Sequence, residues 1–566
     1  MSTKDHDGRP GGAGQWTWPR RPERQAKSPP CQAACPGGND IRGWLGLIAQ
    51  RVRLGLPLND AYRLAWEKLA ATNPLPATLG RVCPHPCESG CNRREKDGAV
   101  AVNAMERFIG DWAIREKLSL PRLAPTSKRA AVAVVGAGPA GLSFAYQMAR
   151  RGHGVTIYDR FPEAGGMLRY GIPKYRLPKD VLAAETQRIL DLCVGVRLGT
   201  EVGRDVSAAE LRDSCDILFL GVGAAKGKGL GIPGENGRGV WSGVDYLNAR
   251  NRGQAVDLGA RVVVVGGGDT AIDAARMARR AGAEVTILYR RTRAEMPAVA
   301  EEIEDALTEG VRIEFLAAPL AVQRDGDALR GLRVQRMELG EPDSSGRRRP
   351  VPVRNSEFDV PADAVIAAIS QEPDWSGLDE FRPQGDWVQL DDVGRIADAM
   401  WGGGDAAGLG IAVLAVFHGR RAAEAAHSRF TGETLPERPP APFIGPDGVD
   451  RDAYPDRVRA ASQRWAEAEW LARPDAEIAA TITEAEFLGE SSRCYSCGLC
   501  FGCERCWMFC NPHGYTRLQE VAPGAYYALA LDQCEGCGKC IELCPCGFIA
   551  AESKREVPEP LAPAEP

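Results

Sequence analysis

Histidine is nearly absent, at six in 566 residues, and none stands in a pattern with serine, cysteine or a carboxylate that would suit acid–base or nucleophilic work on a substrate. His85 and His418 read as capping or packing residues, and catalytic side chains stay unknown. Long apolar runs are missing as well. None approaches the ~18 residues of a membrane span, and the stretch from Met1 to Arg24 lacks the apolar core of a secretory signal, so a cytoplasmic protein without a membrane span is expected. A net charge of −5 leaves no footprint for nucleic acid or an acidic membrane surface. What the chain has instead is cysteine, 18 in all. Disulfide frameworks belong mainly to small secreted domains, so closely spaced cysteines in a large cytosolic chain point to metal ligation.

At about 150 residues per domain, the length suits three to four domains. Residues 1–30 are rich in Gly, Pro, Arg and Lys without an apolar period and read as a flexible tail, as do 554–566. Residues 31–125 read as short helices, because Trp44, Leu45 and Ile48, then Ala61, Leu64, Ala65 and Leu69, recur at helical spacing. Residues 131–159 and 261–291 repeat one order of elements: a β-branched strand, a glycine turn, an apolar helix and a second strand. The Pro-rich stretch from Leu435 to Asp452 marks a linker over 431–488 that ends in a polar helical segment. A cysteine-dense end, 489–553, follows.

The first glycine turn runs through Gly136, Gly138, Pro139, Ala140 and Gly141, and Asp159 closes the next strand. Glycines there allow a tight turn and close approach of backbone amides to a pyrophosphate, while the acid accepts from a ribose hydroxyl. The second turn runs through Gly266, Gly268, Asp269, Thr270 and Ala271, and its second strand ends in Arg290 and Arg291 where an acid would favour NAD. Arginines suit a 2′-phosphate, so NADP is preferred, with NAD as the alternative. A solvated run of Arg290, Arg291 and Arg293 is the bland reading and stays open.

Two such modules, with Gly404 and Asp405 and an apolar helix following, resemble the two-dinucleotide flavoprotein reductases. The resemblance implies that the first site takes FAD, with Gly404 and Asp405 at the ribityl chain. It also implies an FAD-binding domain, 126–255 and 359–430, interrupted by an NAD(P)-binding domain, 256–358. Relatives that reduce disulfides carry a CxxxxC pair beside the flavin. Cys193 and Cys215 are too far apart for that and read as core residues.

Cys31 and Cys35, then Cys83, Cys87 and Cys91, resemble the iron–sulfur domain of the glutamate synthase small subunit, and the likeness continues through the stretch from Gly166 to Pro173 and that from Arg290 to Pro297. The same module occurs in dihydropyrimidine dehydrogenase and in NADH-dependent ferredoxin:NADP oxidoreductase. The resemblance places one 4Fe-4S cluster on Cys35, Cys83, Cys87 and Glu106, the last on a helix expected to face solvent. It would place a second on Cys31 and Cys91 with two cysteines further upstream, and this sequence has none before Cys31. Either that cluster is lost or Cys31 and Cys91 recombine with the others; a structural zinc is the bland alternative.

Cys534, Cys537, Cys540 and Cys544 have the spacing of a bacterial ferredoxin run, whose fourth cysteine ligates the other cluster in two-cluster modules. The partner run is overfull, with Cys494, Cys497, Cys500, Cys503, Cys506 and Cys510 for four places. Strict spacing selects the last four, whereas the glycine pattern favours starting at Cys494. In either reading Cys510 joins Cys534, Cys537 and Cys540, and Cys546 is spare.

The expected fold is multidomain α/β: an N-terminal α-helical Fe–S domain, two Rossmann-like dinucleotide domains and a C-terminal α+β ferredoxin-like domain. The expected function is an NAD(P)H:acceptor oxidoreductase with FAD, two C-terminal 4Fe-4S clusters and one N-terminal one. Its partner would be ferredoxin, or an enzyme such as dissimilatory sulfite reductase or 2-oxoacid:ferredoxin oxidoreductase, by resemblance to the flavoproteins associated with those systems. The alternative is the small subunit of a glutamate synthase-like complex, which would require a separate large subunit because no FMN barrel or amidotransferase sequence is present. A homodimer is left open.

Overall fold

The computed structural model describes residues 21–126, 129–343, 346–434 and 441–551. Four helices, Ile41–Ala49, Leu58–Ala70, Pro76–Val82 and Val102–Arg115, build the N-terminal unit around Trp44, Tyr62, Trp66, Ile109 and Trp112. The Asp40 carboxylate caps the first of them by accepting from the Gly43 amide at 3.0 Å. Helices Pro76–Val82 and Val102–Arg115 cross with their backbones in contact. A methyl group on Gly80 would sit 2.3 Å from the Arg107 amide nitrogen, and one on Gly110 would sit 2.2 Å from that of Ala77. This crossing brings Glu106 toward the cysteines that follow Val82. Gly80→Ala is therefore expected to cost about 1–3 kcal/mol by overpacking and to lower the iron content of the purified protein, read by thermal unfolding and iron analysis.

The helix Val102–Arg115 does not face solvent as expected. It buries nine of its residues, Glu106 among them, because the helix Pro76–Val82 packs against it on one side and the segment 441–483, expected as a linker, straps across its Arg107. Glu477 bridges Arg81 at 2.8 Å and Arg107 at 3.1 Å, and the Ala479 carbonyl accepts from Arg107 at 2.8 Å.

The first dinucleotide unit is a six-stranded sheet in the order Arg395–Ala397, Met400–Gly402, Ile217–Leu220, Ala131–Val135, Gly154–Asp159, Gly195–Leu198, parallel except at Arg395–Ala397. Helices Pro139–Arg150 and Ala412–Thr431 pack so closely against each other that a methyl group on Gly419 would meet the Ala140 carbonyl oxygen at 2.1 Å. The second unit is a five-stranded parallel sheet ordered Arg312–Phe315, Glu284–Tyr289, Arg261–Val265, Ala364–Ala367, Val240–Ser242. It thus reaches from about residue 240 to 367, wider than the 256–358 expected, because its two flanking strands are only three and four residues long.

A buried brace fixes one unit against the other. Tyr175 of the first lies under Arg280 and Arg276, with ring centroid to guanidinium distances of 3.9 and 4.7 Å, and Arg176 pairs with Asp273 at 2.7 Å. The Glu309 carboxylate, between Arg276 and Arg280 at 2.8 and 2.6 Å, answers their charge.

The C-terminal unit consists of the short helices Arg505–Met508 and Lys539–Glu542 and the hairpin Tyr515–Ala522 with Ala525–Leu529. It is docked. Of the expected N-terminal tail, residues 1–20 lie outside the described residues, but Pro22–Arg24 pairs antiparallel with Ile549–Ala551, and the Lys27 amide donates to the Gly498 carbonyl at 2.9 Å. Arg53 reaches the Phe501 carbonyl at 2.7 Å, and Arg93, fully buried, donates to the Arg493 carbonyl at 2.7 Å. No described helix is long and apolar enough to cross a membrane.

Candidate functional site

The first pocket opens at the carboxyl ends of the strands Ala131–Val135 and Gly154–Asp159. Gly136, Gly138, Pro139, Ala140, Asp159, Gly166, Gly404 and Asp405 line it, as the sequence predicts. Gly141 does not line it: a methyl group there would strike the Gly136 carbonyl oxygen at 1.9 Å, so this glycine serves helix–strand packing. No side chain caps the helix Pro139–Arg150, leaving its first amides to the pocket. Asp159 accepts from the Ala137 and Phe161 amides at 2.6 and 2.8 Å, and burial holds its carboxyl above the usual range. Burial likewise pushes Asp405 up to about 6. These features suit a dinucleotide pyrophosphate on the amides and a ribose at the acid. His418 packs here, its Nδ1 accepting from the Gly404 amide at 3.2 Å.

The second pocket is lined by Gly266, Gly268, Thr270, Arg290 and Arg291; Asp269 and Ala271 are absent from its lining. The Asp269 carboxylate instead accepts from the Val299 amide at 3.1 Å. The two arginines differ. Arg291 is buried, paired with Asp343 at 2.6 Å and bonded to the Arg348 carbonyl at 2.7 Å, whereas Arg290 is exposed at the rim. Arg347 also lines this pocket, a residue that sequence reasoning missed because it sits in the distant hairpin. Arg293 pairs with Glu304. Arg290→Ala is expected to raise the KM for NADPH by about 10–100-fold, the loss of one charge-assisted contact worth about 1.5–3 kcal/mol, with the KM for NADH little changed; steady-state kinetics with both nucleotides reads this. Val244 lines both pockets, which therefore adjoin.

The cysteines gather into four groups. Cys35, Cys83, Cys87 and Glu106 line one cavity with Ile41, Trp44, Leu79, Val102 and Val413. Burial pushes the Cys83 thiol up to about 12 and Glu106 up to about 8, and Glu106 accepts from Asn73 Nδ2 at 2.7 Å. The His85 amide donates to Cys83 Sγ at 3.4 Å, and its ring Nδ1 lies 2.8 Å from the Cys83 carbonyl, so His85 shapes the loop. Cys500, Cys503, Cys506 and Cys544 line a second cavity, with Cys546 beside Cys544 at 3.9 Å. Cys510, Cys534 and Cys537 act together on Cys540 in a third group, at whose edge Cys537 is exposed. The strict spacing of the ferredoxin pattern thus matches the spatial grouping.

The fourth group joins the two ends of the chain. Cys31, Cys91, Cys494 and Cys497 line one cavity, and the Cys31 thiol is driven up by burial and by its three neighbours. Nothing local in the sequence pairs cysteines more than 400 residues apart. Cys193 and Cys215 stand apart, packed against different cores.

Buried thiols and a buried carboxylate converging without a counter-charge are costly, and bound iron offsets that by ionising its ligands outright. Among the described residues no three His, Cys, Asp or Glu side chains are drawn in tightly enough for a single metal ion. A 4Fe-4S cluster distributes its four protein ligands over four irons, so its thiols stand wider.

The family model for pyridine nucleotide-disulphide oxidoreductases matches residues 130–428, and that for dihydropyrimidine dehydrogenase domain II, 4Fe-4S cluster, matches residues 23–118. The chain is similar to the NADPH-Fe(3+) oxidoreductase subunit beta of Geobacter sulfurreducens, 42% identical over 61% of this chain and 51% of the relative. It is similar to the glutamate synthase [NADPH] small chain of Halomonas elongata, 38% identical over 70% of this chain and 87% of the relative. The putative oxidoreductase YgfK of Escherichia coli is 32% identical over 91% of this chain and 48% of its own length. The chain thus spans about half the length of the first and third of these relatives.

Proposed function

We propose, from the premise that this chain belongs to the pyridine nucleotide-disulphide oxidoreductase family and is of the glutamate synthase small-chain kind, that it oxidises NADPH and delivers the electrons through FAD and 4Fe-4S clusters to a redox partner protein. FAD, when bound, supplies the conversion of a two-electron hydride into single electrons that clusters can carry. The residues do the positioning. Gly136, Gly138 and the first amides of the helix Pro139–Arg150 hold the flavin pyrophosphate, Asp159 holds a ribose, and Gly166, Gly404 and Asp405 bound the rest of the pocket. Gly266, Gly268 and Thr270 cradle the NADP pyrophosphate, Arg290 meets the 2′-phosphate, and Arg291, committed to Asp343, holds the strand end in place.

Three cluster sites follow from the groups above: Cys35, Cys83, Cys87 and Glu106; Cys500, Cys503, Cys506 and Cys544; Cys510, Cys534, Cys537 and Cys540. The observation that carries the reading is adjacency. Val244 is common to both nucleotide pockets, and the helix Ala412–Thr431 lends Ala415 to the flavin pocket and Val413 to the Cys35 cavity. The exit lies at the exposed Cys537, toward ferredoxin or a partner enzyme such as dissimilatory sulfite reductase or 2-oxoacid:ferredoxin oxidoreductase. Anaerobic assay of the purified chain with NADPH, NADH and an artificial acceptor tests this: NADPH is oxidised in preference, and failure to oxidise either nucleotide ends the proposal.

A second reading, the small subunit of a glutamate synthase-like complex, is favoured by the 87% coverage of the Halomonas relative. It predicts tight co-purification with a large glutamine-dependent synthase, whereas the first reading predicts direct reduction of a ferredoxin-type protein.

A further inference from the structure

We propose that Cys31, Cys91, Cys494 and Cys497 together hold a fourth 4Fe-4S cluster, shared between the two ends of the chain, which joins the Cys35 group to the C-terminal clusters. The inference rests on the reading that the other thiol groups carry iron–sulfur clusters and adds a site to them.

Four features of the cavity suit it. Its walls include the apolar side chains of Pro29, Pro30, Ile41, Leu45, Val100 and Val102. Two donors reach its sulfurs: the Ser496 amide to Cys494 Sγ at 3.4 Å and Asn92 Nδ2 to Cys497 Sγ at 3.5 Å. Two arginines answer the negative charge of four thiolates. Arg42, bonded to the Lys27 carbonyl at 2.6 Å, and Arg93 both line the cavity beside the thiols. Finally, the ligands arrive as a CxxC pair and two single cysteines, and taking Cys494 and Cys497 out of the overfull run leaves four thiols in the Cys540 group and, at the Cys500 cavity, four with Cys546 as a fifth beside Cys544.

Its place between the other groups is fixed by shared walls. Ile41 and Val102 line this cavity and the Cys35 cavity alike, so an apolar wall one side chain thick divides them. On the other side Tyr454 stacks on Tyr495, a wall of this cavity, at 4.3 Å, and lies 5.9 Å from Phe501, a wall of the Cys500 cavity. Each electron arriving from the Cys35 side leaves toward the Cys500 side, with no bond made or broken in the protein and no proton moved. The site also gives the docking of the C-terminal unit a purpose. Arg93 spans the seam, donating to the Arg493 carbonyl while lying over the Tyr495 ring at 4.9 Å.

The test compares the full-length, FAD-loaded chain with Cys31→Ser/Cys91→Ser, Cys494→Ser/Cys497→Ser and the quadruple variant, all purified anaerobically. Each double variant loses about four irons per chain and the same low-temperature EPR signal, the quadruple variant loses no more than either double, and NADPH-driven reduction of the remaining C-terminal clusters slows about a hundredfold, about 2.7 kcal/mol of barrier. Flavin content reports that each variant folds. Loss of about eight irons in the quadruple variant, retention of full iron in either double, or zinc in place of iron overturns the inference. Should the variants fail to fold, the unaltered chain decides: about sixteen irons support the fourth site and about twelve remove it. A chain with no iron at all would instead overturn the reading on which the inference rests.

Discussion

Cys83→Ser leaves the flavin reducible by NADPH but cuts reduction of the C-terminal clusters about a hundredfold or more, a barrier increase of at least about 2.7 kcal/mol. Cys83 stands in the cavity that shares the helix Ala412–Thr431 with the flavin pocket, so on the proposed path its group is the first that an electron leaving the flavin meets. The nucleotide pockets lie on the far side of that helix and contain no cysteine, so the substitution has no path to them. Stopped-flow absorbance, following flavin bleaching and cluster bleaching separately, distinguishes this from general damage, which would slow both.

Gly136→Ala is expected to abolish FAD binding. The residue has φ 101°, a region closed to alanine, and a Cβ there would sit 2.3 Å from the Gly221 carbonyl oxygen, which is backbone and cannot step aside. Relief requires the loop to lift out of the pocket, taking the pyrophosphate-binding amides with it. The purified variant should carry under about a tenth of the wild-type flavin, since a cost of about 1.4 kcal/mol already changes affinity tenfold. Flavin release on denaturation measures it. Iron content at the C-terminal unit, which shares no residue with this loop, serves as the internal standard.

Both glycine turns were legible because their chemistry is local: strand, turn, helix and terminal acid lie within about thirty residues, and the structure sets Gly136, Gly138 and Asp159 around one pocket. The Cys510, Cys534, Cys537 and Cys540 group was legible for the same reason, from fixed spacing. What the sequence hid depends on contacts without a period. Glu477 and Ala479 look like linker residues until they are placed against Arg81 and Arg107, and this strap covers the Arg107 side of the helix, while the close crossing with Pro76–Val82 buries its Glu106 side. Arg290 and Arg291 are neighbours in sequence but alternate in direction along the strand end, so only the structure separates the one at the rim from the one paired with Asp343. The meeting of Cys494 and Cys497 with Cys31 and Cys91 leaves no local trace, since it follows from the docking of the whole C-terminal unit.

That docking changes the physical picture of the C-terminal unit. A module on a free linker would gain only effective concentration. Here the pairing of Pro22–Arg24 with Ile549–Ala551, the pair of Arg493 with Asp97 at 2.8 Å and the buried bond from the Ala101 amide to the Glu490 carboxylate at 2.7 Å hold it in one register against the helical unit. On the proposed path, a fixed separation between carriers would let electron transfer proceed without a docking step inside the chain, leaving only the encounter with the partner to diffusion.

The most direct test of the electron path is an anaerobic titration of the full-length holoprotein with NADPH, followed by visible absorbance for flavin and low-temperature EPR for clusters, in the unaltered chain and in Cys537→Ser. The account predicts that NADPH reduces the flavin and, through it, iron–sulfur clusters that include the one held by Cys510, Cys534, Cys537 and Cys540, whose EPR signal is missing in Cys537→Ser. A flavin that bleaches while every cluster stays oxidised, with clusters that dithionite can still reduce, would contradict it.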